Sequence, residues 1–198
     1  MVLSLDIITA SMDIVLILAQ AFWFMLPAYI ANPTAVLFGG GRPIDAGQAL
    51  RDGHRLLGDG KTWRGLAGGI ISGAILGIIL HSVAVMAESD SFTFGSPSQA
   101  ATLVFLLPFG ALTGDILGSF IKRRTGLERG AKFPGLDQYD FLIGTIIFLL
   151  IFETQWFLEH YVMEYAIIGL IFIIVITPPI HRAVNIIGHR LGKKDVPW

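Results

Sequence analysis

The sequence predicts an all-α integral membrane protein with about five transmembrane helices and a polar catalytic cavity at their cytoplasmic side. Three observations carry that expectation. Of 198 residues, 54% are hydrophobic and only 15% are charged, where a soluble globular chain carries about a quarter charged residues. The apolar residues gather in blocks long enough to cross a hydrocarbon core, which takes roughly 20 residues. All 14 lysines and arginines fall in three of the segments that join or follow those blocks.

The first block covers residues 12–31. It runs past signal-peptide length and lacks a basic leader, so a retained span is expected rather than a cleaved one. The others cover 66–87, 101–121, 141–158 and 166–180, the last kinked by Pro178-Pro179 with its apolar pattern continuing to Ile187. The loop 32–65 holds Arg42, Arg51, Arg55, Lys61 and Arg64, and the loop 122–139 holds Lys122, Arg123, Arg124, Arg129 and Lys132. The tail 181–198 holds Arg182, Arg190, Lys193 and Lys194. The N-terminus, the loop ESDSFTFGSPSQ and the short EHYVMEY have no basic residue. The positive-inside rule then places the N-terminus outside and the C-terminus in the cytoplasm, which an odd number of spans satisfies. One membrane-embedded domain, 1–198, is expected. The absence of cysteine excludes disulfides, thiolate metal sites and cysteine nucleophiles.

Gly65, Gly69, Gly73 and Gly77 recur every fourth residue in the second span, and Gly110, Gly114 and Gly118 in the third. Small-residue stripes of this kind let helix backbones approach closely in lipid. They predict that spans 2 and 3 are tight neighbours with their inner ends facing one another.

Polar chemistry concentrates at those inner ends. Asp115, Ser119 and Lys122 share one helix face. A carboxylate at a helix centre costs about 2.5–3.5 kcal/mol and less toward the interface, so Asp115 needs a partner. That partner is either a lysine, Lys61 or Lys122, or a metal ion. Asp137 and Asp140 lie three apart at the start of span 4 and bring two more carboxylates to a similar depth. Hard oxygen ligands beside a basic cluster suit Mg²⁺ carrying phosphates, as one or two divalent ions. His81, Glu153 and His160 fall toward the outer ends of their spans and read as interfacial or interhelical hydrogen-bonding groups.

The stretch GDGKT (58–62) looks like a nucleotide phosphate loop, but the pattern requires glycine where Arg55 stands, and a membrane helix follows it. Part of the chemistry survives. Gly58 and Gly60 leave backbone N–H groups open, Lys61 offers a charge and Thr62 a hydroxyl, all at a helix N-terminus that favours an anion.

Three stretches carry a family resemblance. GDGKTWRGLAGG (58–69) resembles the S-P-G-K-T-W-x-G-x-x-G-G segment of the CDP-diacylglycerol synthases. GDILGSFIKRR (114–124) resembles their signature G-D-L-x-x-S-x-x-K-R. PGLDQYD (134–140) resembles the closing P-G-H-G-G-x-L-D-R-x-D, shortened by its His-Gly-Gly part and with Gln138 in place of arginine. The segment 27–65 looks like that of the archaeal branch, the CDP-archaeol synthases.

The resemblance implies Mg²⁺-dependent transfer of CMP from CTP to a membrane lipid phosphate, 2,3-bis-O-geranylgeranyl-sn-glycerol 1-phosphate, with release of pyrophosphate. It implies metal binding by Asp115 with Asp137 or Asp140, and phosphate binding by Lys61, Thr62, Arg64 and Lys132. Lys122 and Arg123 would stabilise charge on the transferring and leaving phosphates, and Ser119 would bind a phosphate or pack. Asn32, Gly40, Gly41 and Asp45 are the candidates for the nucleoside pocket. The expected partners are CTP, an isoprenoid glycerol phosphate lipid and the bilayer, with no nucleic acid. Rival readings are a CTP-dependent polyprenol kinase and a non-enzymatic transporter or scaffold.

Overall fold

The computed structural model describes residues 2–127 and 131–193, with side chains from Asp13 onward. Arg129 and Lys194, counted above among the basic residues, lie outside the described residues. Six α-helices follow in order: α1 (Val2–Leu37), α2 (Trp63–Met86), α3 (Pro97–Arg124), α4 (Leu136–Phe152), α5 (Thr154–Tyr161) and α6 (Ala166–Arg190). A single 3₁₀ turn, Asp90–Phe92, interrupts the loop between α2 and α3.

Four of these are long and apolar enough to cross a bilayer: α1 from Asp13, α2, α3 with the preceding turn, and α6. The fourth apolar block, 141–158, is instead divided between α4 and α5. Glu153 breaks the helix with φ −136°, Thr154 Oγ1 donates to the Leu150 carbonyl at 2.6 Å, and Gln99 Nε2 donates to the Glu153 carboxylate at 3.3 Å. α4 has 17 residues, about 25 Å at helical rise, somewhat under the hydrocarbon thickness.

Several boundaries move outward from their expected places. α1 continues through Pro33 to Leu37, so residues 32–37 belong to the helix rather than the loop, and α6 continues through both prolines to Arg190. The loop 88–96 is not a plain external connector. Phe94 is fully buried, edge-on to Phe24 and parallel to Trp156, and its N–H donates to His81 Nδ1 at 3.2 Å. This aromatic cluster fills the end of the bundle remote from the basic residues.

The glycine stripes direct the packing, with one difference from expectation. α2 does lie against α3: a Cβ on Gly73 would meet Pro108, and one on Gly77 would meet Val104. The upper part of the α2 stripe faces α1, where a Cβ on Gly65 would meet the Ala35 carbonyl at 2.8 Å. The α3 stripe, however, belongs to α4. Gly110 faces Thr145, Gly114 faces Asp140 and Gly144, and Gly118 faces Asp140. Only glycine permits those backbone approaches, which is why the segment carrying Asp140 sits directly on the segment carrying Asp115.

Candidate functional site

The C-terminal ends of α1, α3 and α6 and the N-terminal ends of α2 and α4 meet at one end of the bundle. They enclose a cavity of about 700 Å³. Tyr29, Asn32, Gly40, Lys61, Thr62, Asp115, Ser119, Lys122, Arg123, His181 and Asn185 all line it.

Its rim is built by the loop 39–62. Thr62 is the N-cap of α2, its side chain accepting the Gly65 N–H at 3.1 Å. Pro43 and Thr62 form an isolated antiparallel bridge, and the Ile44 N–H donates to the Lys61 carbonyl at 2.8 Å. Gly58 takes φ +93°, a left-handed turn that favours glycine. This turn delivers Lys61 to the cavity, where its Nζ lies 2.5 Å from Asp115 Oδ2.

Asp45, expected in the nucleoside pocket, does not line the cavity. Both of its oxygens are used inside the loop: they accept from the N–H groups of Gly47, Leu57 and Gly58 and from the Arg55 guanidinium. Its side chain is wholly buried, and the Arg55 partner holds its carboxyl well below the usual carboxylate range. Asp45→Ala would leave three N–H donors without their acceptor and Arg55 with Asp59 as its remaining partner, a cost of about 2–4 kcal/mol. Because the native value is depressed, the clamp is fully present above about pH 4, the ordinary carboxylate range, and is lost as pH falls through the native value. Limited proteolysis of the loop should therefore be flat from neutral pH to about 5 in the wild type and fast at every pH in Asp45→Ala.

A second set of contacts fastens this loop to α3. Arg124 bonds Asp52 and the carbonyls of His54 and Arg55 and lies over the Phe120 ring.

The three expected metal carboxylates are not assembled into one cluster. Among the described residues no three acidic or histidine side chains converge in a way that could hold an ion. Asp137 is turned away: its oxygens accept from Lys122 Nζ at 2.6 Å and from the Phe133 N–H at 2.8 Å, so it orders the start of α4. Asp140 is buried behind the cavity wall, accepting the Phe141 N–H at 2.7 Å. It lies within electrostatic reach of Asp115 and Lys61. Asp115 itself has found the lysine partner that was one of its two expected alternatives.

Arg64, Lys132 and Gly41 also lie outside the cavity lining. Gly41 instead underlies the Arg64 stem, which a Cβ there would approach to 3.2 Å. Lys122 and Arg123 do face the cavity, the latter also donating to the Leu127 carbonyl at 2.5 Å. Asn32 lines it with a buried Oδ1 that has no hydrogen-bond partner.

Sequence reasoning missed the wall formed by α6 and its neighbours. Tyr29 hydrogen-bonds Thr177 at 2.6 Å and packs on Phe141, and Phe141 stacks on His181. The available signal was His181 and Asn185 four apart beyond the double proline, polar residues on one face of an apolar helix.

These features match known proteins closely. A family model described as "CarS-like: CDP-archaeol synthase" matches residues 13–198. A CDP-archaeol synthase of Methanosphaerula palustris is 50% identical over 88% of this chain and all of its own length. That of Thermococcus kodakarensis is 48% identical over 90% of this chain and 95% of its own. A solved structure described as an intramembrane enzyme for archaeal membrane lipids biosynthesis is similar with a TM-score of 0.57 and 43% identity, covering 66% of this chain and 76% of that one. The chain belongs to the CarS-like family of CDP-archaeol synthases.

Proposed function

We propose that this protein transfers the cytidylyl group of CTP to the phosphate of an isoprenoid glycerol lipid, forming a CDP-lipid and pyrophosphate. The observation that carries the reading is the meeting of Lys61, Asp115, Ser119, Lys122 and Arg123 in one cavity, within a family named for CDP-archaeol synthesis. An oxygen of the lipid phosphate attacks the α-phosphorus of CTP, and the bond to the β-phosphate oxygen breaks. The attacking oxygen is already anionic, so the protein supplies placement and charge compensation rather than a strong base.

Lys61 and the Thr62 hydroxyl hold the polyphosphate from the α2 side. Lys122 and Arg123 take the charge that builds on the leaving pyrophosphate from the α3 side. Asn32, with its unsatisfied acceptor, is the group suited to a base N–H donor. The carboxylates fit a hard divalent cation. Asp115, which reaches the cavity, and Asp140 beside it would hold such an ion, with phosphate oxygens and water as its remaining ligands, as Mg²⁺ prefers. Such an ion, when bound, supplies charge neutralisation across the nucleotide phosphates. Lys61 pairs with Asp115 at the cavity wall, which places its ammonium beside the position the nucleotide phosphates would take.

The N-terminus outside and the C-terminus in the cytoplasm remain our assignment. The basic residues among those described belong to segments at the cavity end or to the end of α6 beside it, as the positive-inside rule requires. The test of function is incorporation of labelled CTP into lipid. CDP-lipid and pyrophosphate are expected, with loss of turnover on chelation of divalent ions. CDP with a polyprenyl phosphate would instead identify a kinase. Lys61→Gln, which keeps an N–H for Asp115 but removes the charge, should raise the KM for CTP by about tenfold or more, the worth of one charge-assisted contact, with the thermal transition in detergent within a few degrees of wild type.

A further inference from the structure

Two ion pairs tie the loop 39–62 to α3. Inside the cavity Lys61 reaches Asp115. Nine residues further along the same helix, a rise of about 13 Å, Arg124 grips the loop from outside through Asp52. Its Nη2 also donates to the carbonyls of Arg55 at 2.6 Å and His54 at 3.1 Å. The guanidinium lies over the Phe120 ring, 5.4 Å from its centroid. Arg124 is not among the residues that line the cavity, so any effect it has on a bound nucleotide passes through the loop.

From the residues that Arg124 holds, hydrogen bonds run without a break to the lysine. Arg55 closes its own guanidinium on both Asp45 oxygens, at 3.1 and 2.8 Å, and on Asp59 at 3.0 Å. Asp45 accepts the N–H groups of Leu57 and Gly58 at 3.1 and 2.9 Å. The Gly58 carbonyl accepts the Lys61 N–H at 3.3 Å, and the Lys61 carbonyl accepts the Ile44 N–H at 2.8 Å. In the soluble phosphate loop a buried strand holds the glycine turn. Here Arg55, standing where that pattern needs glycine, is the residue that Asp45 and Arg124 share, and the frame it completes ends at the C-terminal turn of α3.

Resting on the cytidylyltransferase reading, we infer that Arg124 is a positioning residue for Lys61: by pinning residues 52–55 to α3 it keeps the Gly58–Thr62 turn in the arrangement that receives the CTP phosphates. A ligand binds more weakly in proportion as the competent arrangement of its site is less populated. Without Arg124 the loop spends less of its time with Lys61 in the cavity, and the affinity for CTP falls. Once CTP is bound, its phosphates hold Lys61 in place, so turnover at saturation changes little. A role in folding alone gives the opposite split, a lower kcat from a smaller active fraction with the KM for CTP unmoved.

Kinetics and proteolysis test this in the purified full-length enzyme with Mg²⁺, CTP and geranylgeranyl acceptor. Arg124→Ala should raise the KM for CTP about tenfold, with kcat and the KM for lipid within about threefold of wild type. Arg190→Gln, which removes a positive charge at the end of α6, should leave the KM for CTP within about twofold, separating the loop contact from a general loss of attraction for an anion. In a Lys61→Gln background Arg124→Ala should add less than about threefold, because the group it positions has already been removed. Without CTP, trypsin should cut the loop 39–62, which contains Arg42, Arg51, Arg55 and Lys61, several-fold faster in Arg124→Ala than in wild type, and saturating CTP should narrow that difference. Effects of Arg124→Ala and Lys61→Gln that multiply in full, an equal KM rise in Arg190→Gln, a fall in kcat with unchanged KM, or cleavage no faster than wild type overturns the positioning role. A wild type that makes no cytidylyl product with any acceptor overturns the underlying reaction instead, while the cleavage comparison still reports on Arg124.

Discussion

Asp115→Asn is expected to give a folded protein with no measurable cytidylyl transfer. The side chain occupies the point where Lys61 of the loop, the polar face of α3 and the buried Asp140 come together. Asparagine preserves the shape and can still accept from Lys61 Nζ, so helix packing is not disturbed. What it removes is the negative charge that a divalent ion requires, and with it several kcal/mol of charge compensation for the transferring phosphates. A loss on the order of 10³-fold or more in kcat follows. Radiolabelled CTP incorporation measures the loss, and a thermal transition in detergent within a few degrees of wild type shows the fold is intact. Activity within tenfold of wild type would falsify the assignment of Asp115 to the ion.

Gly114→Ala is the substitution expected to damage the fold most. A Cβ at this position would be driven into the Asp140 carbonyl oxygen and to 2.9 Å from the Cα of Gly144. Both are backbone atoms, so no rotamer change relieves the overlap and α3 must separate from α4. Overpacking of this kind costs about 1–3 kcal/mol and more where the backbone itself must move. Since α3 carries Asp115 and α4 carries Asp140, activity should fall with stability. Gly60→Ala is the control for stability: a Cβ there meets nothing within 4 Å, and its backbone is not left-handed. The thermal transition of Gly114→Ala should drop by several degrees or disappear, while that of Gly60→Ala stays close to wild type. Equal transitions for the two variants would show that the α3–α4 contact is looser than described.

Much of this architecture was legible because its causes are local. Apolar blocks report helices that lipid will accept, since nothing else satisfies the backbone there. Spacing of four along a helix reports a shared face, which is why Asp115, Ser119 and Lys122 were correctly grouped. The Gly-Asp-Gly-Lys-Thr turn was legible as a helix N-terminus with a lysine, because capping and glycine conformations depend on few neighbours. The division of the fourth block was not legible, because Glu153 and Thr154 break the helix only through side-chain bonds to Gln99 and to the Leu150 carbonyl.

The residues whose reading changed are those whose partners lie far away in sequence. Asp45 resembled a ligand-binding carboxylate until its loop closed around it, using every oxygen lone pair it offers. Asp137 and Asp140 are three apart on one helix and looked equivalent. Lys122 and the Phe133 N–H take one, and the Gly114–Gly118 surface buries the other. The α3 glycine stripe announced a close neighbour but could not name α4, because a stripe specifies how near a backbone may come and not which one. The wall of Tyr29, Phe141 and His181 draws one residue from each of three helices, and no spacing in the chain relates them. The sequence by itself determined the membrane helices, the end of the bundle that is basic, and the chemical types gathered there, since composition and periodicity act over a few residues. Only the tertiary structure decided which carboxylate faces the cavity, which is spent on folding, and which helices form its walls, because those outcomes depend on distances between segments that the chain brings together only when it packs.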